Sequence, residues 1–152
     1  MPFEKDFIEF IELCNKNAVE YLVVGGLAVV VHGYPRFTGD MDIWMKLTDA
    51  NATKMLKVLE EFGFSSLGIS KEDLLQVDAV IQIGIRPLRI DLMNEIAGIS
   101  FDDAFSERKE ISRENVIINF IGLNHLLESK KIAGRKQDQA DIHKLKKINK
   151  LK

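Results

Sequence analysis

Apolar residues recur near helical spacing through Phe3, Phe7, Ile8, Phe10, Ile11 and Cys14, and Asn15 and Asn17 supply a stop, so residues 3–16 are predicted as an amphipathic helix. Tyr21-Leu22-Val23-Val24 is a short apolar run that ends at Gly25-Gly26, the pattern of a buried strand entering a tight turn. Leu27 to Val31 is rich in β-branched residues, which disfavours a helix, yet it starts at paired glycines and ends at His32-Gly33. Those boundaries predict a short helix. Met41 to Lys46 alternates as a strand, and a helix follows from about Asp49 to Phe62, capped by Gly63. Further along, the pattern predicts a short helix over 70–76 and strands over Ala79 to Ile85 and Pro87 to Met93. The Gly84-to-Pro87 turn region joins these two strands as a hairpin. Val116 to Ile121 reads as a strand, Gly122 to Ile132 as a helix, and Gln137 to Ile148 as a terminal helix with Ile142, Leu145 and Ile148 on one face.

Strands and helices in this order predict an α/β (α+β) fold, a small twisted mixed sheet with helices on one or both faces. A length of 152 residues suits one domain with a sizeable core, spanning 1–152, whose C-terminal segment from about 122 is helical and basic.

The chemistry begins at Asp40-Met41-Asp42. On a strand alternate side chains share a face, so Asp40 and Asp42 project together while Met41, Ile43 and Met45 point into the core. Two adjacent carboxylates repel, and a divalent cation such as Mg²⁺, which takes one or two carboxylates plus phosphate oxygens, relieves the repulsion. Asp91, between Ile90 and Leu92, offers a third acid if its strand lies beside the one bearing Asp42; an ion pair with Arg89 or Arg86 is the plainer role for it. Gly25-Gly26 follows a buried strand and opens a helix, where bare backbone amides can hold a phosphate chain. Neither a Walker P-loop nor the Gly-x-Gly-x-x-Gly pattern is present.

Hydrophobic residues followed by Gly-Gly, then thirteen residues, then Asp-x-Asp, then a later apolar-Asp-apolar strand resemble the DNA polymerase beta nucleotidyltransferase superfamily. Leu22 to Ala28 and Arg36 to Ile43 resemble in particular its minimal members and its abortive-infection and toxin–antitoxin members. The resemblance implies a nucleotidyltransferase-like fold, an NTP such as ATP held at Gly25 and Gly26, and Mg²⁺ or Mn²⁺ on Asp40, Asp42 and Asp91. It also implies untemplated transfer of a nucleoside monophosphate to a hydroxyl of a protein, RNA or small molecule, an EC 2.7.7 type of reaction. Arg36 and Thr38 match the Arg-x-Thr segment before the acids and become candidates for phosphate contact or loop support. Lys130 or Lys131, Arg135 and Asp138 resemble a C-terminal Lys and Asp segment of the toxin-type enzymes, with either lysine able to meet phosphate. The alternative is a catalytically weak regulatory module of the same fold, paired with a toxin–antitoxin partner.

Composition narrows the setting. The 46% hydrophobic and 29% charged content is that of a globular protein with no membrane span, and the acid-bearing N-terminus does not read as a signal peptide, so a cytoplasmic location is expected. Cys14 reads as a small buried residue. A net charge of −2 gives no global pull on nucleic acid, although Lys130 to Lys152 is basic, as a solvated helix face or as a surface for polyphosphate or RNA. An EF-hand is excluded because Trp44 and Met45 stand where a ligand and glycine are needed. His32 reads as structural, Trp44 as filling the sheet surface, and Asp102-Asp103 as a helix start that is also the second choice for an acidic site. The apolar faces of the first and last helices leave a homodimer open.

Overall fold

The computed structural model describes residues 5–36, 38–85 and 88–151. Phe3, Phe37 and the Arg86–Pro87 turn therefore lie outside the described residues. Helix α1 (Lys5–Lys16) leads into strand β1 (Tyr21–Val24), helix α2 (Gly25–Val31), strand β2 (Asp40–Met45) and helix α3 (Asp49–Glu61). A 3-10 turn at Ser65–Leu67 and helix α4 (Lys71–Leu75) precede strands β3 (Val80–Ile85) and β4 (Leu88–Met93). Helix α5 (Phe101–Ser106), strands β5 (Lys109–Arg113) and β6 (Val116–Phe120), and helices α6 (Leu123–Ala133) and α7 (Lys136–Ile148) complete the order.

The strands form one mixed sheet in the order β3-β4-β2-β1-β6-β5. β2 runs antiparallel to β1 and parallel to β4, while β1 runs parallel to β6. β3 and β4 form the antiparallel pair expected from the sequence. Period-two alternation splits β2 between two faces: Met41, Ile43 and Met45 are buried, and Asp40 and Asp42 stand on the other side. α1 covers the first face, with Phe7, Ile8 and Ile11 against Val23, Met41, Ile118 and Phe120. On the acid-bearing face Trp44 is buried edge-on to Phe101 of α5, ring centroids 5.2 Å apart, so it fills the sheet surface.

Several boundaries differ from the sequence reading by a residue or two, and one strand is new to it. α2 begins at Gly25 rather than Leu27, and β2 at Asp40 rather than Met41. β5 is an additional strand. Its Lys109-Glu110-Ile111-Ser112-Arg113 carries only one apolar residue because it lies at the sheet edge, where charge blunts further pairing. Cys14 is buried and unpaired, as expected. His32 is also structural: its Nε2–H donates to the Ile121 carbonyl at 2.7 Å, and burial lowers its pKa. Among the described residues no helix is long and apolar enough to cross a membrane.

Asn51 fixes the strand that leads to the acids. Buried in the first turn of α3, it accepts from the Glu20 amide at 2.8 Å and donates to the carbonyls of Glu20 (3.0 Å) and Lys46 (2.9 Å), tying the start of β1 to the end of β2. Asn51→Ala takes the acceptor from the Glu20 amide and one of two donors from each of the Glu20 and Lys46 carbonyls, which keep the Lys46 and Thr48 amides. Urea unfolding is expected to show a loss of about 3 kcal/mol with an unchanged slope.

Candidate functional site

The parallel register of β2 and β4 sets Asp42 opposite Asp91 and Asp40 opposite Arg89. Asp40, Asp42 and Asp91 therefore share one sheet face, and Asp42 and Asp91 come within hydrogen-bonding reach of each other. Burial, then the neighbouring Asp91 and Asp40 charges, push the Asp42 carboxyl up to about 6 against the opposing pull of Arg89. Such a group holds a proton readily just below neutrality.

Arg89 stands among the acids. Its Nε donates to Asp91 Oδ1 and its Nη2 to Asp91 Oδ2, both at 3.2 Å, and Nε lies 3.8 Å from Asp40 Oδ2. The hydrogen bond to Asp91 holds the guanidinium above its ordinary pKa. Gln82, opposite Asp91 on β3, accepts from the same guanidinium when its amide oxygen faces it, the orientation that the donors require.

Gly25 and Gly26 lie directly against this cluster. Gly25 has φ +66°, and a Cβ there would collide with Asp42 Oδ2, so this position requires glycine twice over. A Cβ on Gly26 would stand 2.7 Å from Thr38 Oγ1 and 3.7 Å from Arg36 Nη2. Thr38 itself donates to the Asp40 carbonyl at 3.3 Å, which braces the loop entering β2. No side chain caps the first turn of α2.

The C-terminal helices close the other side. Lys130 of α6 and Asp138 and Asp141 of α7 are 7%, 1% and 0% exposed. Lys130 Nζ lies 2.9 Å from Asp141 Oδ2 and 3.4 Å from Asp138 Oδ1. Arg36 Nη2 reaches the same Asp141 Oδ2 at 3.3 Å, and Gln137 Nε2 donates to Oδ1 at 2.8 Å. Arg135 forks onto Asp138 through Nε (2.7 Å) and Nη2 (3.2 Å) yet remains 77% exposed. Burial alone would raise Asp138, but the Arg135 hydrogen bonds and the Lys130 charge outweigh it and leave the pKa lowered. The Asp42 charge reaches Arg135 as well, so the two clusters share one field.

Sequence reasoning left Lys130 and Lys131 equivalent. The structure separates them: Lys130 enters the buried cluster and Lys131 is exposed. The sequence reading named the Arg89–Asp91 ion pair, which forms, but only as an alternative to a site; it missed Gln82 and Asp141. The signals were present: Arg89 lies two residues from Asp91 on one strand, and Asp141 lies one turn beyond Asp138 on a face that continues to Leu145. Asp102 stands apart, exposed in α5 and paired with Lys46 Nζ at 2.9 Å; Ser100 caps that helix through the Asp103 amide.

Among the described residues no group of three His, Cys, Asp or Glu side chains is arranged as a ready metal cage. The donor chemistry nevertheless fits a hard divalent cation: three carboxylates on adjacent strands, with Asp42 raised by burial and then by its like-charged neighbours. Asp40, Asp42 and Asp91 are the residues that would hold it, with Arg89 as the resident counter-charge.

A family model described as a nucleotidyltransferase of unknown function, DUF6036, matches residues 5–152. No curated protein matches the sequence. Several solved structures share the fold. A protein from Thermotoga maritima described as a nucleotidyltransferase superimposes with TM-score 0.63 at 15% identity, over 91% of this chain and 88% of that one. The lincosamide antibiotic adenylyltransferase LnuA, with lincomycin bound, gives TM-score 0.58 at 18% identity over 96% and 98%. An antigenic nucleotidyltransferase-like protein from Paracoccidioides brasiliensis gives 0.56 at 14% identity over 95% and 78%.

The raised Asp42 carboxyl makes a signed prediction. Its folded pKa of about 6 lies above the unfolded value of 3.8, so between those values the folded state binds more protons, and stability falls as pH rises through that window. Asp42→Asn removes that penalty. Thermal or urea unfolding near neutral pH is expected to show a gain of about 1–2 kcal/mol, discounted for partial exposure, that fades as pH falls from about 6 to about 4.

Proposed function

The chain belongs to this nucleotidyltransferase family, and from that premise we propose that it transfers a nucleoside monophosphate from an NTP to a hydroxyl, without a template and with a divalent cation. The observation that carries the reading is the Asp42–Asp91 register, which sets the three carboxylates beside the glycines of α2. LnuA is an adenylyltransferase of the same fold and nearly the same extent, which supports ATP as donor and a small molecule among the acceptors; a protein or RNA hydroxyl remains open to the same chemistry.

In this reading the triphosphate lies along Gly25 and Gly26, where side chains would obstruct it, with Arg36, Lys130 and Arg135 drawing on its charge and Thr38 holding the loop. Mg²⁺ or Mn²⁺ bound by Asp40, Asp42 and Asp91 would supply electrostatic stabilisation of the charge developing on the phosphoryl oxygens. Asp91 accepts the proton of the acceptor hydroxyl as its oxygen attacks the α-phosphorus. The bond from that phosphorus to the β-bridging oxygen breaks and pyrophosphate leaves. For this Arg89 must loosen its hold on Asp91, and Gln82 offers the released guanidinium a partner.

Arg89 also favours a second reading. A guanidinium already neutralising the acids suits a module of this fold that binds a protein partner, such as a toxin–antitoxin component or a second copy, with little turnover.

One experiment separates them. The protein is incubated with α-labelled NTPs, Mg²⁺ and cell extract, and the label is followed into macromolecular and small-molecule fractions. Transfer by wild type, reduced about a hundredfold or more in Asp42→Ala, is expected. Equal transfer by Asp42→Ala, or none by wild type, defeats the enzymatic reading.

A further inference from the structure

The buried cluster at the junction of α6 and α7 contains a carboxylate to which neither the sequence pattern nor the proposed chemistry gives a role. Asp141 is wholly buried, and the cap of α7 is made by Arg135 and Asp138 without it. One of its oxygens, Oδ2, meets two cations from distant parts of the chain: Lys130 Nζ at 2.9 Å from α6 and Arg36 Nη2 at 3.3 Å from the loop before β2. Its other oxygen is taken by Gln137. Inside the cluster Lys130 and Arg36 balance Asp138 and Asp141, and Arg135, 77% exposed, adds a third cation at its solvent rim. Arg36 Nε is buried with no hydrogen-bond partner among the described residues, and its Nη2 is the guanidinium atom beside Gly26. A buried guanidinium donor without a partner, beside a residue with no side chain and with a third cation at the rim, has the chemistry of an anion subsite.

We infer that Asp141 is a positioning residue that clamps Lys130 and Arg36 together as a two-cation seat for the phosphates beyond the α-phosphate of the bound nucleotide. The inference rests on the nucleotidyltransferase reading above and deepens it. Alone, Lys130 is a flexible ammonium and Arg36 a loop guanidinium. Sharing one carboxylate oxygen fixes both heads within a few ångströms of each other and leaves Arg36 Nε for a phosphate oxygen. Asp141 touches no substrate. Its carboxylate is committed to the two cations, which hold the phosphates through their remaining donors.

The test is calorimetric binding of ATP, ADP and AMP to the full chain with Mg²⁺, which needs no acceptor. Asp141→Asn is expected to weaken ATP by about tenfold to a hundredfold, ADP less, and AMP little, because only the outer phosphates reach the seat. A purely structural role would lower all three alike. Arg36→Gln should show the same ordering, and the double variant should be less weakened than the two single losses combined, because both act through one contact. If Asp141→Asn fails to fold, Asp141→Glu, which keeps the charge but moves it by a methylene, reads the same ATP-to-AMP ratio. ATP binding that is unchanged in these variants, or weakened no more than AMP, overturns the assignment and leaves the nucleotidyltransferase reading standing. Wild-type protein that binds none of the three removes both. Lys131→Ala, at the exposed neighbour, is expected to leave the ratio as in wild type.

Discussion

The parallel pairing of β2 with β4 is the constraint on which the rest of the arrangement depends. A one-residue slip would turn Asp91 to the core face and expose Ile90 or Leu92, so hydrophobic burial on one side of the sheet fixes the carboxylate geometry on the other. The cost is electrostatic. Burial first, and then the Asp91 and Asp40 charges on the same face, push the Asp42 carboxyl up to about 6 against the opposing pull of Arg89. The fold sustains the strain because Met41, Ile43, Ile90 and Leu92 on the opposite face are buried in the hydrophobic core, burial worth far more than the repulsion.

Gly25 shows how closely the backbone is built around that strain. β1 is antiparallel to β2 with Val24 opposite Asp42, so the residue after Val24 must leave the sheet immediately beside the carboxylate. Only a residue without a Cβ and at ease with φ +66° fits there. The same turn that relieves crowding at Asp42 starts α2 and brings Gly26 under Thr38 and Arg36. Strand register, glycine turn and cation loop are thus one geometric problem with one solution.

Much of this was legible in the sequence because period-two alternation and glycine punctuation are local signals. Asp40 and Asp42 on one face, the β3–β4 hairpin and the terminal helices all follow from them. β5 was not legible: an edge strand needs few apolar residues, and Lys109-Glu110-Ile111-Ser112-Arg113 lacks the pattern that marks a half-buried one. Gln82 could not be found either, since its meeting with Arg89 depends on cross-strand register. Asp141 was missed for another reason. It occupies the core-facing stripe of α7 with Asp138 and Leu145, a place where an acid is tolerated only with a cation to match, and that cation lies on another helix.

The buried charge of α6 and α7 then bears on why these helices belong to the site at all. Lys130, Asp138 and Asp141 could be replaced by apolar residues of similar volume with little loss, or some gain, of stability, because desolvation offsets most of what a buried ion pair contributes. A chain selected only to pack two helices together would be expected to carry leucines there. Keeping two carboxylates and a lysine at 7% exposure or less, with Arg36 drawn in from a loop roughly a hundred residues earlier, makes sense where cationic heads have to be held in a fixed place. The sheet supplies fixed carboxylates at Asp40, Asp42 and Asp91; Lys130, Arg36 and Arg135 present cationic heads held by Asp138 and Asp141, with Arg36 beside Gly26 and Asp42 beside Gly25. A polyphosphate with a divalent cation at one end is complementary to both halves, and either half alone would hold it less well.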